Sequence, residues 1–149
     1  MQHLRQCRRR GWQRALASAN LHPGSCLHAP FTYHGGYRTA RNLLTRRDRP
    51  DSVLVASDVQ AVGVISAAAS LGLRIPDDLA VVSIDGTRAA AFANPGLTTV
   101  SQPVARMAAC AVQHVTSRQR EVIHRTYTGR LVRRRSCGCA TSVTEQPET

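Results

Sequence analysis

Apolar and polar positions follow two rhythms along this chain, and the clearest passage runs from Arg49 to Pro103. A short apolar run, Ser52-Val53-Leu54-Val55-Ala56, ends at Ser57-Asp58. A helix-length segment, Val59 to Leu71, follows and stops at Gly72. A second apolar run, Leu79-Ala80-Val81-Val82-Ser83-Ile84, ends at Asp85-Gly86. Apolar runs of this length, bounded by turn residues, predict buried strands around a helix. Both strands end on polar residues. In open parallel sheets ligands bind at the carboxyl ends of the strands, so the passage predicts a small-molecule site there.

The flanking segments extend the alternation. Trp12, Ala15, Leu16 and Ala19 recur at steps of three and four and predict a helix over Arg8–Ala19, ended by Asn20-Leu21-His22-Pro23-Gly24. Ser25–Ala29 reads as a short strand and Pro30–Gly36 as a loop. Tyr37–Arg46 reads as a second helix. Beyond the central unit, Thr87–Pro95 is a loop or short helix and Leu97–Val100 an extended piece. Pro103–Ser117 is helical, with Val104, Met107, Ala108, Ala111, Val112 and Val115 forming a stripe. Two strands, Val122–Tyr127 and Arg130–Arg134, are expected around Thr128-Gly129. The tail after Cys139 is polar and expected to be disordered. Helices alternating with buried-type strands indicate an α/β fold with a mainly parallel sheet.

Charge changes the picture only at the edges. The 149 residues carry 20 arginines, no lysine and a net charge of +11. Residues 1–49 sum to +9, residues 50–103 to −3 and residues 104–149 to +5. The part that reads as best folded is mildly acidic, and the excess positive charge lies on its flanks. Such flanks attract phosphate without reading sequence. The few aromatic residues lie in separate elements, which argues against a stacking platform for single strands. The N-terminus has no apolar core or small-residue cleavage site, and no apolar run reaches membrane-spanning length, so a soluble, cytoplasmic protein is expected.

Reactive motifs are sparse. The five cysteines are scattered and odd in number, which favours thiols over a disulfide framework. Cys137-Gly138-Cys139 has C-x-C spacing and no second pair to complete a zinc site. None of the six histidines has H-E-x-x-H spacing, and there is no G-x-S-x-G, P-loop or G-x-G-x-x-G. No metal, cofactor or catalytic residue is expected. Asp58 and Asp85 alone do not make a glycosidase pair.

Six pieces of the chain together resemble one family. They are Arg8-Arg9-Arg10-Gly11-Trp12, Leu54-Val55-Ala56-Ser57-Asp58, Leu71 through Asp78, Val81-Val82-Ser83-Ile84-Asp85, Leu97 through Pro103, and Leu131-Val132-Arg133-Arg134-Arg135-Ser136. In this order and spacing they resemble the C-terminal part of LacI/GalR-type transcriptional regulators, in their periplasmic-binding-protein-like effector domain. The resemblance implies a type I periplasmic-binding-protein-like lobe, incomplete, with the helix Pro103–Ser117 crossing to a second lobe. It implies a partial effector-binding and dimerisation domain over residues 1–139 and a tail over 140–149. Family members begin with a helix-turn-helix headpiece that reads operator DNA. Relative to that pattern the chain is expected to be N-terminally truncated, with operator DNA reached only through the missing headpiece.

The resemblance also implies site residues. The family's effector, a sugar or nucleobase-like molecule, lies between the lobes, and the arginine that contacts it maps to Arg8. A planar five-donor fork suits vicinal hydroxyls or a carboxylate; the alternative is one more surface arginine. Phe31 falls where the family places a ring-stacking aromatic, or it is a core residue. Ser57 and Asp58 end the first strand; Asp58 is a sugar-hydroxyl acceptor, an N-cap of the following helix, or both. Asp85 matches the family's acidic ligand contact. Gln102 lies at the lobe crossover, where a hinge hydrogen bond is the alternative. The dimer interface of resembling regulators maps onto Val62, Ser66, Ala69 and Ala93, and an isologous homodimer is expected.

The expected function is therefore effector sensing, most simply of a carbohydrate, and dimerisation in a transcription regulator. Two other classes remain open at this point. One is a solute-binding protein of a sugar transport system, which shares the fold. The other is a small basic nucleic-acid-binding protein acting through the arginine flanks.

Overall fold

The computed structural model describes residues 2–117 and 122–139. The elements are α1 (Gln2–Ser18), α2 (Tyr33–Leu44), β1 (Ser52–Leu54), α3 (Asp58–Ser70), β2 (Ala80–Asp85), α4 (Arg88–Phe92), β3 (Thr98–Ser101), α5 (Val104–Thr116) and β4 (Arg130–Val132), closed by a 3-10 turn at Arg135–Cys137. The strands form one sheet in the order β1-β2-β3-β4. The first three are parallel, with Val53 opposite Val81 and Ser83 opposite Thr99. The last is antiparallel to β3, with Thr99 opposite Val132.

The core lies around α3. Val64, Ile65, Ala67 and Ala68 of this helix are buried with Leu79 and Val81 of the β2 segment, Ala40 and Leu44 of α2, and Leu97. Small residues set the spacing of α2 and α3. A Cβ at Gly36 would overlap the Gln60 carbonyl, and one at Gly63 would overlap the Tyr33 carbonyl. The two helices therefore touch backbone to backbone. Ser57 caps α3 by accepting the Gln60 N–H at 3.3 Å, and Thr32 caps α2 by accepting the Gly35 N–H at 2.9 Å.

Several sequence expectations need correction. No strand forms at Ser25–Ala29, which lies in an irregular segment between α1 and α2. The second helix starts at Tyr33 rather than Tyr37, because the Thr32 hydroxyl supplies a cap that nucleates the first turn earlier. Of the two strands expected around Thr128-Gly129, only Arg130–Val132 pairs with the sheet, and residues 122–129 have no regular structure. The expected tail, 140–149, lies outside the described residues. The α5 stripe is correct in pattern, but no α5 residue is buried.

Candidate functional site

Three parallel strands bring their carboxyl ends to one edge of the sheet, where Ala56, Asp85 and Gln102 come together with Arg8 of α1. One Arg8 terminal nitrogen donates to the Ala56 carbonyl at 2.8 Å. The other lies 3.8 Å from an Asp85 carboxylate oxygen, and both side chains remain about 30% exposed. The Gln102 amide nitrogen donates to that same oxygen at 2.8 Å, while its backbone N–H donates to the Asp85 carbonyl at 3.1 Å. Arg8, Asp85 and Gln102, named from separate parts of the sequence, thus form one cluster.

Asp85 has φ +136°, a left-handed value unusual for a residue with a side chain. The next residue, Gly86, has φ +77°, and a Cβ there would collide with Ser101. The chain can make this bend only with glycine at 86, and the Gln102 bracket keeps Asp85 in its strained geometry. Burial pushes the Asp85 carboxyl above its ordinary pKa, with the nearby Asp58 charge adding to it, while Arg8 and Gln102 pull the other way without cancelling it. The cluster thus presents a guanidinium, a carboxylate and an amide, a mixed donor and acceptor set suited to hydroxyl groups.

Asp58 and Ser57 occupy a different place. Both are fully interior. One Asp58 oxygen accepts the Ser83 and Thr99 hydroxyls at 2.6 and 2.7 Å; the other accepts the Thr87 N–H and hydroxyl at 2.6 and 2.9 Å. Burial acts on this carboxyl most strongly and would raise its pKa, yet the donors from Ser83, Thr99 and Thr87 outweigh it and leave the value lowered. The N-cap is Ser57 rather than Asp58. Asp58 instead ties the start of α3 to β2, β3 and the turn after Asp85.

Phe31 is half exposed on the segment before α2, and its position is set from below. The Gln60 side-chain amide donates to the Ala29 and Pro30 carbonyls at 3.2 and 3.0 Å, and its oxygen accepts the Ser57 hydroxyl. Sequence reasoning missed Gln60, Ser83, Thr87 and Thr99. A usable signal existed for Ser83 and Thr99: polar residues inside otherwise apolar strands must find partners when buried. Of the residues assigned to the dimer surface, Ser66 and Ala69 are exposed and Val62 and Ala93 partly buried. Among the described residues no cluster of three or more potential ligands could hold a metal, and no helix is long and apolar enough to cross a membrane.

The periplasmic binding protein-like domain family matches residues 2–137. The transcriptional repressor PurR of Edwardsiella ictaluri is 35% identical over 135 residues, covering 87% of this chain and 40% of the repressor. The chain therefore spans less than half the length of that relative. A solved structure of an uncharacterised protein from Actinobacillus succinogenes superposes with a TM-score of 0.82 at 32% identity, covering 89% of this chain and 50% of that one. A LacI family transcriptional regulator from Lactobacillus casei, solved with bound sucrose, superposes with a TM-score of 0.72 at 31% identity, covering 88% of this chain and 50% of the regulator.

Proposed function

The chain belongs to the periplasmic binding protein-like domains of LacI/GalR-type regulators, and we propose that residues 1–139 act as the effector-sensing and dimerising part of such a regulator in the cytoplasm. The observation that carries this reading is the cluster of Arg8, Asp85 and Gln102 at the carboxyl edge of the sheet, built on a strained Asp85.

In this reading the effector is a carbohydrate. The Asp85 carboxylate accepts one hydroxyl, Arg8 donates to a neighbouring one, and Phe31 offers an apolar ring face to the sugar. Neighbouring structures hold sucrose, glucose and cellobiose. Ser57 and Asp58, expected among the ligand residues because they end the first strand, act one layer down in this reading: Asp58 fixes the turn that carries Asp85, and Ser57 holds Gln60 under Phe31. Effector binding biases two arrangements of the sensing domain, and a helix-turn-helix headpiece converts that bias into occupancy of operator DNA. Dimerisation uses the outward side of α3, at Val62, Ser66 and Ala69, with Ala93 beside it.

Calorimetry of this chain against a panel of mono- and disaccharides tests the reading. The cluster is open on one side and gives a ligand little burial, so dissociation constants weaker than about 0.1 mM are expected. A micromolar constant for any sugar would contradict this account of an open, one-sided site.

A further inference from the structure

We propose that Cys137 and Cys139 form a thiol-oxidation site, at which a hydroperoxide converts the pair into an intramolecular disulfide.

The site is built by the last turn of the fold. Ser136 is fully buried; its hydroxyl donates to the Val81 carbonyl at 2.6 Å and accepts the Thr98 N–H at 2.8 Å. The Ser136 N–H donates to the Gly96 carbonyl at 3.0 Å. Cys137 is therefore held against β2 and β3. Gly138 then takes φ +72° and its N–H returns to the Arg135 carbonyl at 3.1 Å, which folds the chain back on itself. As a result the Cys139 N–H points at the Cys137 sulfur, 3.4 Å away. Cys137 is partly buried and Cys139 exposed, so a peroxide can reach the pair from the solvent side.

The environment separates their roles. Burial would raise the Cys137 pKa, but donors from Cys139, from Thr98 and from the backbone outweigh it and lower the value. The Cys139 thiol shifts upward, first because of its hydrogen bond to Cys137. The Cys137 thiol also donates to the Arg134 carbonyl at 3.4 Å, so of the two sulfurs Cys137 is the one held in place and the one whose ionisation is eased. This is the pairing of a nucleophilic and a resolving thiol.

The chemistry balances. The Cys137 thiolate attacks the terminal oxygen of the hydroperoxide, the O–O bond breaks, and the departing hydroxide (from hydrogen peroxide) or alkoxide (from an organic hydroperoxide) takes a proton to become water or an alcohol. Cys137 is left as the sulfenic acid. The Cys139 sulfur attacks it, the S–O bond breaks, and hydroxide leaves with the Cys139 proton as water. The two sulfurs lose two electrons and the peroxide gains them.

The test uses the full chain, with its other thiols as internal references. Hydrogen peroxide is added at neutral pH, remaining thiols are blocked with N-ethylmaleimide, and peptides are quantified by mass spectrometry. Cys137 and Cys139 are expected to disappear together into one linked peptide, about tenfold faster than Cys7 and Cys26. In Cys139→Ser, dimedone is expected to label Cys137 ahead of Cys26. In concentrated urea the preference is expected to vanish. Equal rates at all exposed thiols, dimedone labelling spread evenly in Cys139→Ser, or a preference unchanged by urea would each overturn the proposal.

Discussion

Helices α3 and α5 are both 13 residues long and both rich in apolar residues, yet they end in opposite situations. Eight residues of α3 are buried, including Val64 and Ile65, and none of α5 is. Val112 of α5 is 63% exposed where Val64 of α3 is 7% exposed. The stripe on α5 is the cleaner amphipathic pattern, and α3 is apolar nearly all round. What separates them is the surface opposite. Around α3, Gly36 and Gly63 let α2 approach to backbone contact, while β2 covers another side. An apolar stripe states a need for a partner; it does not supply one.

The largest expected effect comes from the polar heart of the α3 region. Asp58→Ala leaves the Ser83 and Thr99 hydroxyls and the Thr87 N–H without their acceptor in the interior. It should cost about 3 kcal/mol or more in urea denaturation. The pH dependence gives the sign separately. The folded pKa of Asp58 is lowered, so its contribution is fully present above the ordinary carboxylate value and is lost as pH falls through the lowered value. Asp85 runs the other way. Its folded pKa is raised, so the wild type should lose stability relative to Asp85→Asn as pH climbs from about 4 through that raised value. Denaturation midpoints of wild type, Asp58→Asn and Asp85→Asn measured from about pH 2 to 7 would check both slopes.

The same substitution on the two helices sharpens the contrast. Val64→Ala removes buried methyl groups and opens a cavity, which should cost about 2 kcal/mol. Val112→Ala should change stability by less than about 0.5 kcal/mol, because the side chain is already in water and alanine is the better helix former. Comparable losses at both sites would mean that α5 is packed in solution.

A smaller effect on stability, but a clear one on assembly, is expected at the outward side of α3. If the proposed homodimer forms through this surface, Ala69→Glu should leave folding nearly unchanged and weaken the association about tenfold or more, since two carboxylates would meet near its twofold axis. Sedimentation equilibrium of both proteins decides it. A monomeric wild type, or a mutant of unchanged affinity, removes this surface from the account.

Much of the fold was legible because its signals are local. Gly72 closes α3, and the runs 52–56 and 79–84 became β1 and β2 within about two residues of their expected bounds. The parallel pairing followed from the helix between them. The site was legible in part. Arg8, Asp85 and Gln102 came from resemblance and from strand ends, and the fold brings them to one place. The inward turn of Asp58 was not legible, since an aspartate after a strand reads equally as a cap or a ligand contact. Only the register of Ser83 against Thr99 turns it into an internal anchor. The Ser25–Ala29 strand failed because the segment lies mostly exposed and unpaired, and a run this short, with only Cys26, Leu27 and Ala29 apolar, buries too little to hold it against a strand. Gln60 was missed because its partners are carbonyls of a distant segment.

Effector is proposed to bind at the Arg8–Asp85–Gln102 edge. Amide NMR of the isotope-labelled chain, titrated with sucrose, glucose and cellobiose into the millimolar range, tests it directly. Saturable shifts at Gly86, Gln102 and the Arg8 side chain are expected, with α5 and the outward side of α3 silent, and the shifts should be lost in Asp85→Asn. Shifts centred on α5 or the arginine flanks, or a response that survives Asp85→Asn unchanged, would contradict it.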